Sequence, residues 1–198
     1  MSQMYQIKLK QSVQETRRLR DRARLALNLT DILPPAEMLA LLRQELEREG
    51  FVTEGSAEGS AEGARCARQG DDGVKVTVDL EAREVEISLE RDFLMTAEAE
   101  GVDRYNTDRH KEQAQARLAQ RLQREAHQKI DQASGAHQEA LSMELEQRLE
   151  AHRAALNHPI QRTYAEAFKI KAGQLGQIIE MHDSREGGQY ELFIKIRQ

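Results

Sequence analysis

The chain has 198 residues, of which 32% are charged and only 4% aromatic, with no Trp and a net charge of −5. That length holds one domain, or a small domain with an extension, and so few aromatics leave little for a thick core. The acidic balance argues against a dedicated nucleic-acid binder, although it allows a local basic patch.

Tyr5, Ile7 and Leu9 alternate with polar residues and predict a short N-terminal strand. Ser12 stands three residues before Glu15, the spacing of a capping box, and predicts a helix carrying Leu19, Ala23, Ala26 and Leu27 toward a core. On that helix Arg17, Arg18, Arg20, Arg22 and Arg24 are candidate phosphate contacts opposed only by Asp21. A helix would spread them around its axis, since residues two apart do not share a helical face. Pro34-Pro35 opens a second helix, with Met38, Leu39, Leu42 and Leu46 on one face, and Gly50-Phe51 reads as its left-handed stop. Residues 1–54 are thus expected to be the helical part of a head.

Residues 55–72 begin with a repeated Ser-Ala-Glu-Gly and read as a flexible linker, because small polar residues bury too little to offset ordering. A phosphate-cradling loop would need the missing GK[ST]. Val74, Val76, Val78 and Leu80 are then answered by Val85, Ile87 and Leu89, a β-hairpin expected within 73–102.

Residues 103–158 are expected to form a helical arm. Asn106-Thr107 are good N-cap residues. A single helix as far as Leu156 would be about 74 Å long and could not return the chain to the first hairpin. A fold at Ser134-Gly135 would solve this, with Ile130, Ala126 and Leu122 mirrored by Leu141, Leu145 and Leu149. The alternative is one continuous helix that tolerates Gly135. Asn157-His158-Pro159 reads as a break before a last helix with the stripe Ile160, Tyr164, Ala167, Phe168 and Leu175, ended by Gly176. Its aromatics, with Phe51, Phe93, Tyr190 and Phe193, are expected in the core. Ile179 and Met181, opposite Tyr190, Leu192, Ile194 and Ile196, predict a second hairpin, so that 159–198 completes the head. The expected fold is α+β: a small antiparallel sheet head from two hairpins packed with helices, plus a protruding antiparallel helical-hairpin arm.

Chemistry is sparse. His127 and His137, or His110 and His152, could face each other across the arm, but they lack the close pairing and partners of a metal site. Cys66 has flanking arginines and no orienting base, and as the lone cysteine it fits a reducing compartment. No G-x-S-x-G, G-x-G-x-x-G or H-E-x-x-H occurs. The N-terminus lacks a signal-peptide core, and no apolar run approaches the roughly 20 residues that span a bilayer. The expectation is a cytoplasmic protein that is not an enzyme, takes no cofactor or metal, and does not insert in a membrane.

Ala165-Glu166-Ala167-Phe168-Lys169-Ile170-Lys171-Ala172-Gly173-Gln174-Leu175-Gly176, followed by a two-stranded ending, resembles the C-terminal pattern of uncharacterised bacterial proteins that accompany AAA+ ATPases in ternary systems, FtsH-like ones included. The resemblance implies an accessory component beside an ATPase and no site residues. The leading expectation is an adaptor or scaffold with protein partners, an AAA+ ATPase among them, and homo-oligomerisation through the arm. The alternative is a nucleic-acid-associated protein using Arg17–Arg24, and a chaperone gripping chains with the arm ranks last.

Overall fold

The computed structural model describes residues 4–54, 65–106, 108–186 and 189–197. The elements follow in the order β1 (Tyr5–Ala26), α1 (Pro35–Arg48), β2 (Val52–Glu54), β3 (Arg65–Gln69), β4 (Val74–Asp79), β5 (Glu84–Tyr105), α2 (Asp108–Leu175), β6 (Gln177–Glu186) and β7 (Gln189–Arg197). A five-stranded antiparallel sheet has the order β1-β5-β4-β3-β2, and β6-β7 form a two-stranded sheet of their own. The α+β class is as expected. The chain divides into two compact units, one of Met1–Asp21 with Glu90–Glu144, the other of Arg22–Leu89 with Leu145–Gln198.

In the first unit, the expected helix from Ser12 is instead part of β1, a strand of 22 residues. The apolar spacing explains the error. Leu19, Ala23 and Leu27 recur every four residues, an even number that suits one face of a strand as well as a helix. Ile7, Leu9, Val13 and Leu19 all occupy odd positions, so period two governs the segment. Cross-strand contacts run antiparallel: Tyr5 stacks on Tyr105, Lys10 reaches Glu98 and Arg18 reaches Asp92.

The arm differs most from expectation. Residues 108–175 form one helix, with no fold at Ser134-Gly135. Good helix formers dominate it, and Ile130 is its single β-branched residue between 108 and 156. Ile130 and Leu141, which suggested a mirror, lie 11 residues apart, close to three turns, so one straight helix also places them on one face. The return path that the arithmetic required is supplied by the β1–β5 ribbon. Gly101 lies against Leu122, Lys129 Nζ donates to the Glu98 carbonyl, Phe93 stacks on His137, and Arg91 pairs with Glu144. Ten strand residues from 91 to 101 cover about 33 Å. The 22 helical residues from 122 to 144 cover about the same length. Strand and helix therefore retrace each other. Between them lie Met95, Ala97 and Ala99 of β5 against Leu118, Leu122, Ala126 and Ile130 of α2, with Ile7, Leu9, Val13, Leu19 and Phe93 packed at the margin.

In the second unit, the first hairpin has the expected register, with Val74 opposite Leu89, Val76 opposite Ile87 and Val78 opposite Val85, all buried. Its turn is set by Asp79, whose Oδ1 accepts from the Ala82 N–H at 2.9 Å, and by Arg83 at φ 52°. Helix α1 begins at Pro35 and buries Met38, Leu42 and Leu46. At its end Gly50 has φ 83°, its N–H reaches the Glu47 carbonyl, and the Phe51 N–H reaches Leu46. These two bonds are the paired closure of a Schellman stop, as the Gly-Phe pattern predicted.

Three expectations for this unit are corrected. The linker expected over 55–72 contains β3, which pairs with β2 and β4, while 55–64, with its Ser-Ala-Glu-Gly repeat, lies outside the described residues. The expected break at Asn157-His158-Pro159 is absent, because α2 runs through Pro159. A proline inside a helix costs about 3 kcal/mol; burial of Leu156 and Thr163 on either side opposes that cost. The aromatics divide: Phe51 is buried, but Phe168 is 49% exposed and Phe193 57% exposed. The second hairpin forms as expected, with Met181 opposite Ile194 and a bulge between Ile178 and Glu180.

Candidate interaction groove

The final turns of α2 carry Gln161, Tyr164, Ala165, Phe168, Lys171, Ala172 and Leu175, a three-and-four spacing that aligns one helical face. The Gly176 N–H closes the helix on the Ala172 carbonyl at 3.1 Å, and the chain turns into β6. Strand alternation then brings Leu192, Ile194 and Ile196 of β7 to face that stripe. The helix and the hairpin do not close on each other. They leave a groove of about 670 Å³ with mostly apolar walls.

One wall is pinned from behind. The Tyr164 hydroxyl accepts from the Thr30 N–H at 2.8 Å and lies 3.4 Å from the Asn28 carbonyl, so its ring is held as a fixed surface. Phe168 and Leu175 stand about half exposed at the groove, and Ile170, Ile179, Met181 and Phe193 of the same segment are exposed as well. An uncovered apolar groove of this kind marks an interaction site more often than a solvated face. Sequence reasoning placed Phe168 and Phe193 in the core because period alone does not say whether enough chain exists to cover a stripe. A two-stranded hairpin is too narrow to do so.

The arginine candidates are arranged otherwise than a phosphate-binding helix requires. On a strand, residues two apart do share a face, so Arg18, Arg20, Arg22 and Arg24 align. Each of three has a carboxylate across the ladder: Arg18 Nε lies 2.9 Å from Asp92 and 3.4 Å from Glu90, while Arg22 and Arg24 lie 3.6 and 3.2 Å from Glu86. Arg17, on the opposite face, meets Asp131 at 2.8 Å and Glu15 at 3.1 Å. Hydrogen bonds from Arg18 draw the Asp92 carboxyl below its ordinary range, and the same contact raises Arg18. The Arg20 carbonyl accepts from Gln138 at 3.3 Å. Exposed pairs of this kind contribute little individually, but they answer the positive row with acids of the same chain.

The histidines do not converge. His137 stacks on Phe93 with ring centroids 4.5 Å apart, and His110 Nδ1 lies 2.9 Å from Asn106 Oδ1. On the continuous helix His127 and His137 are about 15 Å apart along the axis rather than opposite. Among the described residues no group of three or more His, Cys, Asp or Glu side chains is placed to hold a metal ion. Cys66 is fully buried on β3, and burial pushes its thiol up despite the Thr53 hydroxyl at 3.9 Å. That is the reverse of an activated nucleophile.

His152 and His158 instead fasten α2 within the second unit. His158 Nδ1 lies 2.6 Å from Glu49, and His152 Nε2 lies 2.8 Å from Asp72 Oδ2. The Asp72 Oδ1 accepts from the Val74 N–H at 3.1 Å, and Arg148 donates to the Asp72 carbonyl at 2.8 Å. Partial burial works to raise the Asp72 carboxyl, but the bonds from His152 and Val74 and the nearby His152 and Arg148 charges outweigh it and hold it below the usual aspartate range. A depressed carboxyl contributes stability above its unfolded value and loses it as pH falls through the folded value. Asp72→Asn should therefore be less stable than wild type at neutral pH, with the gap narrowing as pH falls through the ordinary aspartate range and vanishing below it. Urea unfolding of both proteins across that range reads it directly. A gap independent of pH would show that the carboxylate charge adds nothing.

The family model described as FtsH ternary system domain X5 matches residues 1–197. The chain belongs to that family. Its X5 match extends the resemblance carried by residues 165–176 to nearly the whole chain, and makes it an accessory domain of AAA+ (FtsH) ternary systems. Comparison with curated proteins found no match, and comparison with solved structures found none either. Among the described residues of this X5 domain, no helix is long and apolar enough to cross a membrane.

Proposed function

We propose that the chain is a non-enzymatic, cytoplasmic accessory component of an FtsH ternary system, and that its groove seats a segment of a protein partner from that system. The observation that carries this reading is the uncovered apolar groove between the end of α2 and β7. Fixed apolar walls gain from burial in proportion to the area removed from water, and a partner segment is the occupant that family membership favours. The adaptor role asks nothing of the arginine row, which pairs with the chain's own acids.

The test is co-purification with the FtsH-like ATPase of the same system, comparing wild type with Phe168→Asp. Phe168 is already half exposed, so the substitution should leave the circular dichroism spectrum unchanged. Capture should fall at least about tenfold, the cost of placing a carboxylate in an apolar contact. Equal capture by the two proteins would remove the groove from the interaction.

A further inference from the structure

The second sheet has an unused edge. Strand β7 pairs with β6 alone, so among the described residues its other edge has no strand beside it. A lone hairpin is marginal in water and gains from a third strand. Strand β6 is a poor site for one, because the bulge between Ile178 and Glu180 interrupts its ladder, and bulges are a standard protection of sheet edges. The regular edge belongs to β7.

The residues along β7 say what would fit there. Glu191 and Lys195 flank Phe193 at two residues on either side, and all three are exposed on one face. Leu192 and Ile194 flank it on the other face. We propose that β7 pairs antiparallel with β7 of a second copy of this chain, about a two-fold axis through Phe193. In that register Phe193 meets Phe193, Glu191 of each copy meets Lys195 of the other, and Leu192 of each meets Ile194. A two-fold interface must be self-complementary, and cross-strand aromatic, apolar and opposite-charge pairs are the stabilising ones. Moving the centre by one residue sets Phe193 against Glu191 or Lys195 and loses every favourable pair on that face. The charges are available for the purpose. Lys195 meets Glu180 at 3.7 Å, a loose contact, and its side chain is 60% exposed. Glu191 is exposed as well.

Leu192 and Ile194 line the groove as well, but Phe168 stands on α2 and takes no part in the β7 ladder, so Phe168→Asp leaves the dimer intact and the two readings fail separately. The test uses the full chain in sedimentation velocity at micromolar concentration, with circular dichroism to confirm folding. Wild type should be a dimer. Glu191→Lys sets lysines against lysines and Lys195→Glu sets glutamates against glutamates, so each variant alone should dissociate at least about tenfold more readily. Mixed one to one, the first variant offers lysine at both positions and the second offers glutamate at both. Opposite charges then face each other again, and dimers should return. A monomeric wild type, variants that remain dimeric, or a mixture that stays monomeric would each overturn the proposal.

Discussion

Truncating Leu122 to alanine should lower stability by about 2–5 kcal/mol, the range for deleting a buried leucine from a well-packed site. Leu122 is fully buried in the first unit, and its neighbours on both sides are already small or committed: Ala126 and Leu118 on α2, Ala99 and Gly101 on β5. A Cβ placed on Gly101 would come within 3.0 Å of both Leu118 and Leu122 and 2.9 Å of the Arg121 guanidinium. Glycine is therefore needed there for close approach of helix and strand. Gly101→Ala alone should cost stability by mild overpacking, of order 1 kcal/mol. Leu122→Ala with Gly101→Ala should cost less than the sum, because the added methyl enters the vacated space. Urea unfolding of the four proteins closes the cycle, and strict additivity would mean that the two positions do not touch.

Replacing Gly135 separates a continuous helix from a helical hairpin. A Cβ at Gly135 meets nothing within 4 Å, so Gly135→Ala should stabilise by about 1 kcal/mol, the propensity difference in an open helical position. Gly135→Pro should destabilise by about 3 kcal/mol or more, because it removes a helical hydrogen bond and crowds the preceding turn. In a tight loop between two helices the order would reverse, with proline tolerated and alanine neutral or harmful. Thermal unfolding of the two variants decides it. The expected order is alanine above wild type and wild type well above proline.

Much of the second unit is legible in the sequence. Val74 to Leu89 alternates cleanly around a turn, and Gly50-Phe51 can end a helix in only a few ways, so local chemistry suffices. The first unit is less legible, for two physical reasons. In β1, which continues from the first unit into the second, Leu19 and Ala23 satisfy both periods, and Ser12 with Glu15 offers a helix start that partial burial of the odd positions overrides. The helical hairpin follows from chain length only on the premise that the outgoing limb is a helix. A strand covers the same distance in fewer than half the residues, and β5 runs past Gly101 to Tyr105. The groove is the least legible. Phe168, Leu175 and Ile194 carry a core signature, and only the shortage of covering chain distinguishes a contact surface from a core.

Among the described residues no strand pairs with the outer edge of β1, the 22-residue strand at the end of the five-stranded sheet, although Gln138 caps its Arg20 carbonyl. Long open edges template fibrils, and the sorting of charge along this one opposes that fate. Lys8, Lys10, Arg18, Arg20, Arg22 and Arg24 occupy one face, while their acidic answers stand on β5. Two β1 strands meeting antiparallel about Gln14 would set Lys10 against Arg18 and Lys8 against Arg20. Like charge thereby opposes the zipping of two copies along the longest strand edge among the described residues.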